Sequence, residues 1–333
     1  MNVSKMMSFA RPAFGAGLIA GLLGAAAFPA RAQDAGNYPN RAIRLIVPFA
    51  AGGGNDIFGR LVGAKASEFL GQQIIVENRP AAAGRVAAEF VVGQPADGYT
   101  LFIGASGVMS IAAAVWPKLN YHPTKNFIAL AMIADFPLIL VSPVQLPPKT
   151  VAELVAYAKA NPDKSTYAST SPAFTITTEL LKLKTGMPGV MLPVKSSMEM
   201  VQCVAQALCL MAISDGPPAI PQIKDGRVRA IAVTGSERSP ELPDVPSMKE
   251  AGFPEVNAKL WSGVFAATGT PPAITKKLEE VFQRAVADPG VSAKLKGMAV
   301  TPGNIPAAQF QKQIEAEIDV YAQVVKAANL TFE

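Results

Sequence analysis

The residues best placed to do chemistry lie in "IRLIVPFAAGGGNDIFGRL", Ile43 to Leu61. A β-prone apolar run stops at Pro48, three consecutive glycines follow two alanines, and a helical pattern begins. A strand–glycine turn–helix unit aims backbone N–H groups and the positive end of a helix dipole at one spot, and glycines permit close approach because no Cβ intervenes. Such a spot attracts an anion. A P-loop needs G-x-x-x-x-G-K-[ST]. Gly54 and Gly59 supply the glycines, but Arg60 and Leu61 stand where the lysine and the magnesium-binding hydroxyl belong. A dinucleotide site needs G-x-G-x-x-G. Gly52 and Gly54 fit and Glu77 resembles the ribose-binding acid, yet Ile57 holds the third glycine position. Against this partial dinucleotide match, which an exported protein would seldom use, stand two other readings: a small carboxylate gripped by amides with no chemistry done to it, and a turn that only bends the chain.

Other reactive groups are sparse. Ser106 lies in "GASGV", not in a nucleophile elbow, and the single histidine, His122, falls in the loop "NYHPTKNF". Acids are scattered, and no Cys/His group has metal-ligand spacing. The expectation is therefore no enzyme, no metal and no cofactor, with a secreted enzyme using the same cleft as the rival. Cys203 and Cys209 are six apart. Placed on one helix they would point to different faces, so two buried free thiols are the default and a disulfide the alternative.

The elements that must position the turn alternate. "AIRLIVPF" is the continuous apolar run of a strand covered on both faces. A helix then carries Ile57, Leu61, Ala64 and Phe69, with Asn55 as N-cap and Gly71 as stop. "QIIVEN", "AAGRVAAEFVVG" and "GYTLFIGAS" continue as strand, helix and strand, which argues for a parallel α/β sheet. "FPLILVSP" reads as a strand, and Thr150 to Glu153 is a capping box opening a helix to Ala160. "STYAST" runs into a Ser/Thr-rich loop and then the helix "TTELLKLKTG". "CLMAISDG", "PAIPQIKDG" and "VRAIAVTG" give strand, helix and strand, "LWSGVFAA" another strand, and two amphipathic helices close the chain. Ile274, Leu278, Val281 and Ala285 share a face of the first; Phe310, Ile314, Ile318, Tyr321 and Val325 share a face of the last.

Residues 1–32 read as a secretory signal peptide: Lys5 and Arg11, an apolar core, and "ARA" before a cut after Ala32. Removing Lys5, Arg11 and Arg31 from 30 basic residues leaves 27 against 25 acidic, so the +5 charge says nothing for nucleic acid. The exported remainder is long for one core, and two lobes are expected.

In order along the chain, "YPNRAIRLIVPFAAGGGND", "IVENRPAAAG", "PADGYTLFIGAS", "SPELPDVPSMKEAGFP" and "WSGVFAATGTP" resemble the landmarks of the Bug receptors, the periplasmic solute-binding proteins of tripartite tricarboxylate transporters. The resemblance runs from about Tyr38 to the C-terminus. It implies an α/β, two-lobed Venus-flytrap fold of the type II periplasmic-binding-protein kind, with residues 33–136 plus 244–333 as lobe 1 and 137–243 as lobe 2. Hinge crossings fall near Ile133–Pro137 and Thr234–Pro243. It implies a periplasmic, monomeric receptor that captures a small carboxylated solute (a citrate-like acid, an acidic amino acid or an aromatic acid). The solute passes to a large and a small integral-membrane subunit, without nucleic acid. In that family the first turn grips a carboxylate, which points to Phe49, Ala50, Ala51, Gly52, Gly53, Gly54, Asn55 and Asp56, with Ala105 and Ser106 bordering the cleft.

The second lobe departs from the family pattern. Its glycine-rich "NYASxGxGTxxHL" is here "TYASTSPAFTITTEL", leaving Ser169, Thr170, Ser171 and Thr175 as donors and Phe174 beside them to suit an apolar or aromatic acid. "PYKGxAP" is "PVKSSME", keeping Lys195, and the "FDN" aspartate aligns with Ser214, ahead of Asp215. A sensor or degenerate receptor without a transport role is the alternative these changes raise.

Overall fold

The computed structural model describes residues 35–116 and 118–327. The expected leader, with its cut after Ala32, lies outside the described residues. The apolar run forms β1 (Ile43–Val47), and the glycines lead into α1 (Gly54–Leu70), which Gly71 ends in the left-handed conformation. The buried stripe of α1 is Phe58, Val62 and Ala66 rather than the expected Ile57, Leu61 and Ala64. The reason lies in Gly59 and Gly63, where a Cβ would come within 3.3 Å of Ile103 and Ile74 respectively. These glycines let the helix settle onto the sheet by that side.

Next come β2 (Ile74–Asn78), α2 (Arg85–Val92) and β3 (Thr100–Ala105). A π-helical turn over Gly107–Ile111 runs into α3 (Ala112–Val115), and β4 (Phe127–Pro137) follows. The chain crosses at Pro137 into β5 (Ile139–Pro143), so the run "FPLILVSP" is the junction of two strands, and β4 itself begins well before that run, at Phe127. The second lobe then builds α4 (Val151–Ala160), β6 (Thr166–Ser169), α5 (Pro172–Thr185), β7 (Val190–Pro193), α6 (Ser197–Ala205), β8 (Ala212–Ser214), α7 (Gly216–Lys224) and β9 (Val228–Val233). The capping box holds at α4, where Thr150 accepts from the Glu153 N–H at 3.2 Å.

The Pro-rich stretch after β9 stays with this sheet, since Val233 N–H donates to Pro246 O (2.9 Å) and Met248 N–H to Val233 O (2.8 Å). The chain returns with β10 (Lys259–Ala267), then α8 (Pro272–Ala287), α9 (Pro289–Lys296), β11 (Thr301–Pro302) and α10 (Ala307–Ala327). Three helices thus close the chain where two were expected. Asp288 stops α8 and caps α9, accepting from Gly290 and Val291 N–H groups.

The first sheet has the order β11-β4-β10-β3-β1-β2 and is mixed: β1 is parallel to β2 and β3, while β10 runs antiparallel to β3 and β4. In the second lobe β8-β5-β9 is antiparallel and β6-β7 parallel, and a bridge from Tyr167 to Met211 joins the two pieces into the order β7-β6-β8-β5-β9. Without β11, the two lobes share one plan: four strands linked by helices and one antiparallel strand threaded in from the crossing chain.

One correction concerns the cysteines. Cys203 and Cys209 form a disulfide with Cα atoms 5.3 Å apart. They do not share a helix. The chain leaves α6 after Ala205, turns at Ala207 (φ 54°), and folds back so that Cys209 N–H donates to Cys203 O at 3.2 Å.

Candidate functional site

The glycine turn is built from below. Gly53, in extended conformation, is the N-cap of α1, and Asn55 lies inside the first turn instead of capping it. Buried Asp56 accepts from Gly52 N–H (3.0 Å), Asn78 Nδ2 (2.9 Å) and Arg60 Nε (3.0 Å). Burial raises its carboxyl pKa, but the bonds from Arg60, Gly52 and Asn78 outweigh that and hold it below the usual value. Asn55 Oδ1 accepts from Ser262 Oγ at 2.8 Å, and Ser106 Oγ, also buried, accepts from Trp261 N–H at 3.4 Å. Ala105 pairs with Ser262 across β3 and β10, and Phe49 packs into the core. The side chains of Asn55, Asp56 and Ser106 are therefore committed to the scaffold. The backbone is not: among the described residues, no partner takes the N–H groups of Ala51, Gly53 and Asn55.

The second lobe presents a matching end. Its Ser/Thr-rich loop is shorter than expected, because α5 starts at Pro172 with Ser171 as N-cap. Proline fits the first helical position, where no N–H is needed. Phe174 and Thr175 thus belong to a helical turn. Phe174 is buried in the core, and Thr175 Oγ1 bonds Ser169 Oγ at 2.8 Å. Thr170, Ser171 and Ala173 keep backbone N–H groups with no partner among the described residues. Lys195 has an exposed side chain, and its carbonyl accepts from Ala50 N–H at 3.4 Å.

The two ends meet. Gly54 N–H donates to Ser197 Oγ at 3.3 Å. A Cβ on Gly53 would lie 3.3 Å from Ser197 Oγ and 3.6 Å from Ser196 Cβ; one on Gly54 would collide with Asp215 Oδ2. On the other flank, a Cβ on Gly107 would lie 3.4 Å from both Ser171 Oγ and Ala173 Cβ. Ser214 is buried and bonds Asp215 at 3.3 Å. Beside the turn remains a cavity of about 120 Å³, walled by Phe49 and residues 80–84 from one lobe and Thr170, Val194 and Lys195 from the other. Of the residues singled out in the sequence, Phe49, Thr170 and Lys195 line it, while Gly53, Gly54 and Asp215 form the seam next to it.

Asp215 is the outlying group. It is the N-cap of α7 and has no exposure worth the name (2 %). Burial pushes its carboxyl up to about 6, held back by hydrogen bonds from Ser197, its own N–H, Ser214 and Gly54 N–H. Sequence reasoning missed Ser196, Ser197, Trp261 and Ser262. A signal existed for the first two: Ser196 accepts from Glu199 N–H at 3.2 Å, a capping pattern legible in "SSME". Chemically the arrangement offers amides, hydroxyls and helix N-termini. Among the described residues no group of side chains could hold a metal ion, and no helix is long and apolar enough to cross a membrane.

Residues 58–330 match the Tripartite tricarboxylate transporter family receptor family. A UPF0065 protein in the gbd 5' region of Cupriavidus necator is 36 % identical over 290 residues, 86 % of this chain and 87 % of that one. Protein BugT of Bordetella pertussis is 31 % identical over 98 % of both chains. Among solved structures, R. palustris Rpa4515 with adipate superimposes with a TM-score of 0.84 at 32 % identity, covering 88 % of this chain and 99 % of that one. MatC from Rhodopseudomonas palustris, with bound malate, gives 0.82 at 30 %, covering 86 % and 100 %. The turn, the two-lobed plan and these likenesses agree: the chain belongs to the tripartite tricarboxylate transporter receptor family, the periplasmic solute-binding proteins that include the Bug receptors.

Proposed function

We propose that this receptor captures a small carboxylated solute between its lobes and delivers it to the large and small membrane subunits of a tripartite transporter. One observation carries the reading. Unpartnered N–H groups at the start of α1 (Ala51, Gly53, Asn55) and of α5 (Thr170, Ser171, Ala173) stand on opposite lobes around the same seam. Helix N-termini with free amides suit a carboxylate without needing a cation. The relatives with bound adipate and malate support an organic acid as the guest. The lobes move about two crossings, Pro137–Leu138 and the segment between Thr234 and Lys259, and closure leaves a few directed polar groups to decide which acid fits.

The hydroxyls of Ser197 and Ser214 bond the Asp215 carboxylate, while the single histidine, His122, takes part in loop bonds with Thr124 and Asn126. Thermal-shift titration with mono-, di- and tricarboxylates tests the proposal. A bound acid at a hundred times its Kd stabilises by about 2.7 kcal/mol. Saturable stabilisation by one class of acid is the expected result, and no response to any of them sinks the reading.

A further inference from the structure

Building on the receptor function proposed above, we propose that Asp215 is the charge filter of the cleft: a fixed carboxylate beside the solute amides that penalises the carboxylate they hold and adds a smaller penalty for every further carboxylate the solute carries. The geometry supports this in three steps. Asp215 sits against Gly54, between the two N–H groups, Gly53 and Asn55, that are free to hold a guest. Neighbouring Cα atoms are about 3.8 Å apart, so a solute carboxylate on those amides lies within one or two residue lengths of Oδ2. Both charges would then share a seam from which closure has removed water.

Among the described residues, no cation forms an ion pair with Asp215. Arg60 is spent on Asp56, and Lys195 lines the neighbouring cavity with an exposed side chain that forms no ion pair with Asp215. Of the other elements packed nearby, α6 offers Glu199, bonded to Lys195 N–H; α9 carries Lys294 and Lys296 in its last turn; and Lys224 lies at the far end of α7. The groups acting on Asp215 are all neutral, the hydroxyls of Ser197 and Ser214 and two backbone amides. They satisfy its lone pairs and leave its charge in place. The raised carboxyl, at about 6, reports the same shortage of positive charge. At ~5 Å and an effective dielectric of ~20, one like-charge pair is worth about a hundredfold in affinity. Other solute carboxylates, held further away, feel less.

The test compares the purified chain with Asp215→Asn by calorimetry at pH 7.5, using butyrate, succinate and tricarballylate as probes. Asparagine is as good an N-cap as aspartate, so α7 keeps its start. Asp215→Ser, also a good cap, serves as a second charge-free variant if the first folds poorly. The expected result is a gain in affinity on removing the charge that grows at least about tenfold from the mono- to the tricarboxylate. Lowering the pH from 7.5 to 6.0 should strengthen succinate binding to the wild-type chain more than to Asp215→Asn, because only the former has this carboxyl to protonate. An equal gain for every acid that binds overturns the filter and leaves the receptor reading standing. If no acid binds either protein, both fall.

Discussion

Two buried aspartates lie on opposite sides of the seam, and they have opposite fates. Asp56, in lobe 1, is wrapped by Arg60, Asn78 and Gly52 N–H and is held below the usual carboxylate range. Asp215, in lobe 2, has only hydroxyls and amides and rises to about 6. Both lobes follow the same strand order, so the difference does not come from the fold. It comes from which helix turn follows which strand. In lobe 1 the helix after the first strand places Arg60 one turn beyond Asp56. In lobe 2 the helix after the third strand opens with Gly216, Pro217 and Pro218, which bring no charge. Burial raises both acids, and at Asp56 the bonds from Arg60, Gly52 N–H and Asn78 reverse the effect.

The contrast can be broken most severely at the glycine between the two acids. Gly54→Val drives a side chain into Asp215 and should keep the lobes from closing, with ligand affinity falling about a hundredfold while the circular dichroism spectrum is retained. Gly107→Val, which meets Ser171 and Ala173 at ordinary contact distance, should cost about tenfold at most.

Next in size is a paired neutralisation. The folded state holds a proton on Asp215 that the unfolded chain has already released near pH 4. Its contribution is therefore full below that value and is lost as pH rises through about 6. At pH 7.5, Asp215→Asn should remove a penalty of up to about 3 kcal/mol, whereas Asp56→Asn should destabilise by about 2 kcal/mol. Asp56 stabilises above its unfolded value and loses that contribution as pH falls through its lowered folded one. Urea unfolding of both variants at pH 4 and 7.5 reads the opposite signs; equal signs would break the comparison.

Away from the acids, Thr234→Val strands the Leu138 N–H and the Ala258 carbonyl and should cost about 1–3 kcal/mol in the same assay. The smallest contrast concerns the starts of α2 and α6. Ala82 and Ala83 precede α2 in the left-handed conformation (φ 47° and 53°), where a Cβ is unwelcome. Ala83→Gly should stabilise by about 1 kcal/mol, while Ser196→Ala, which removes a true cap, should lose about as much.

The sequence showed the strand–turn–helix logic of lobe 1 because glycine and apolar runs are local signals. It gave the wrong face for α1, since Gly59 and Gly63 carry no hydrophobicity yet mark the side that touches the sheet. The start of α5 was hidden because Ser171-Pro172 reads equally as loop or cap. The disulfide was misjudged because a six-residue spacing was laid on one helix, while the chain turns at Ala207. The meeting of Gly54 with Ser197 and Asp215 spans 143 residues or more, and no periodicity announces such an encounter. Family landmarks mark the turn, but the groups opposite it come from distant segments that no local pattern ties to it.

Thr234 ties the two crossings together. Its hydroxyl takes the Leu138 N–H at 2.7 Å and gives its proton to the Ala258 carbonyl at 2.6 Å, while its own N–H donates to Leu138 O at 2.7 Å. Two connecting strands pinned at one buried point cannot slide past each other. In the closure proposed above they would twist together, and the door would swing about a fixed pin along one arc.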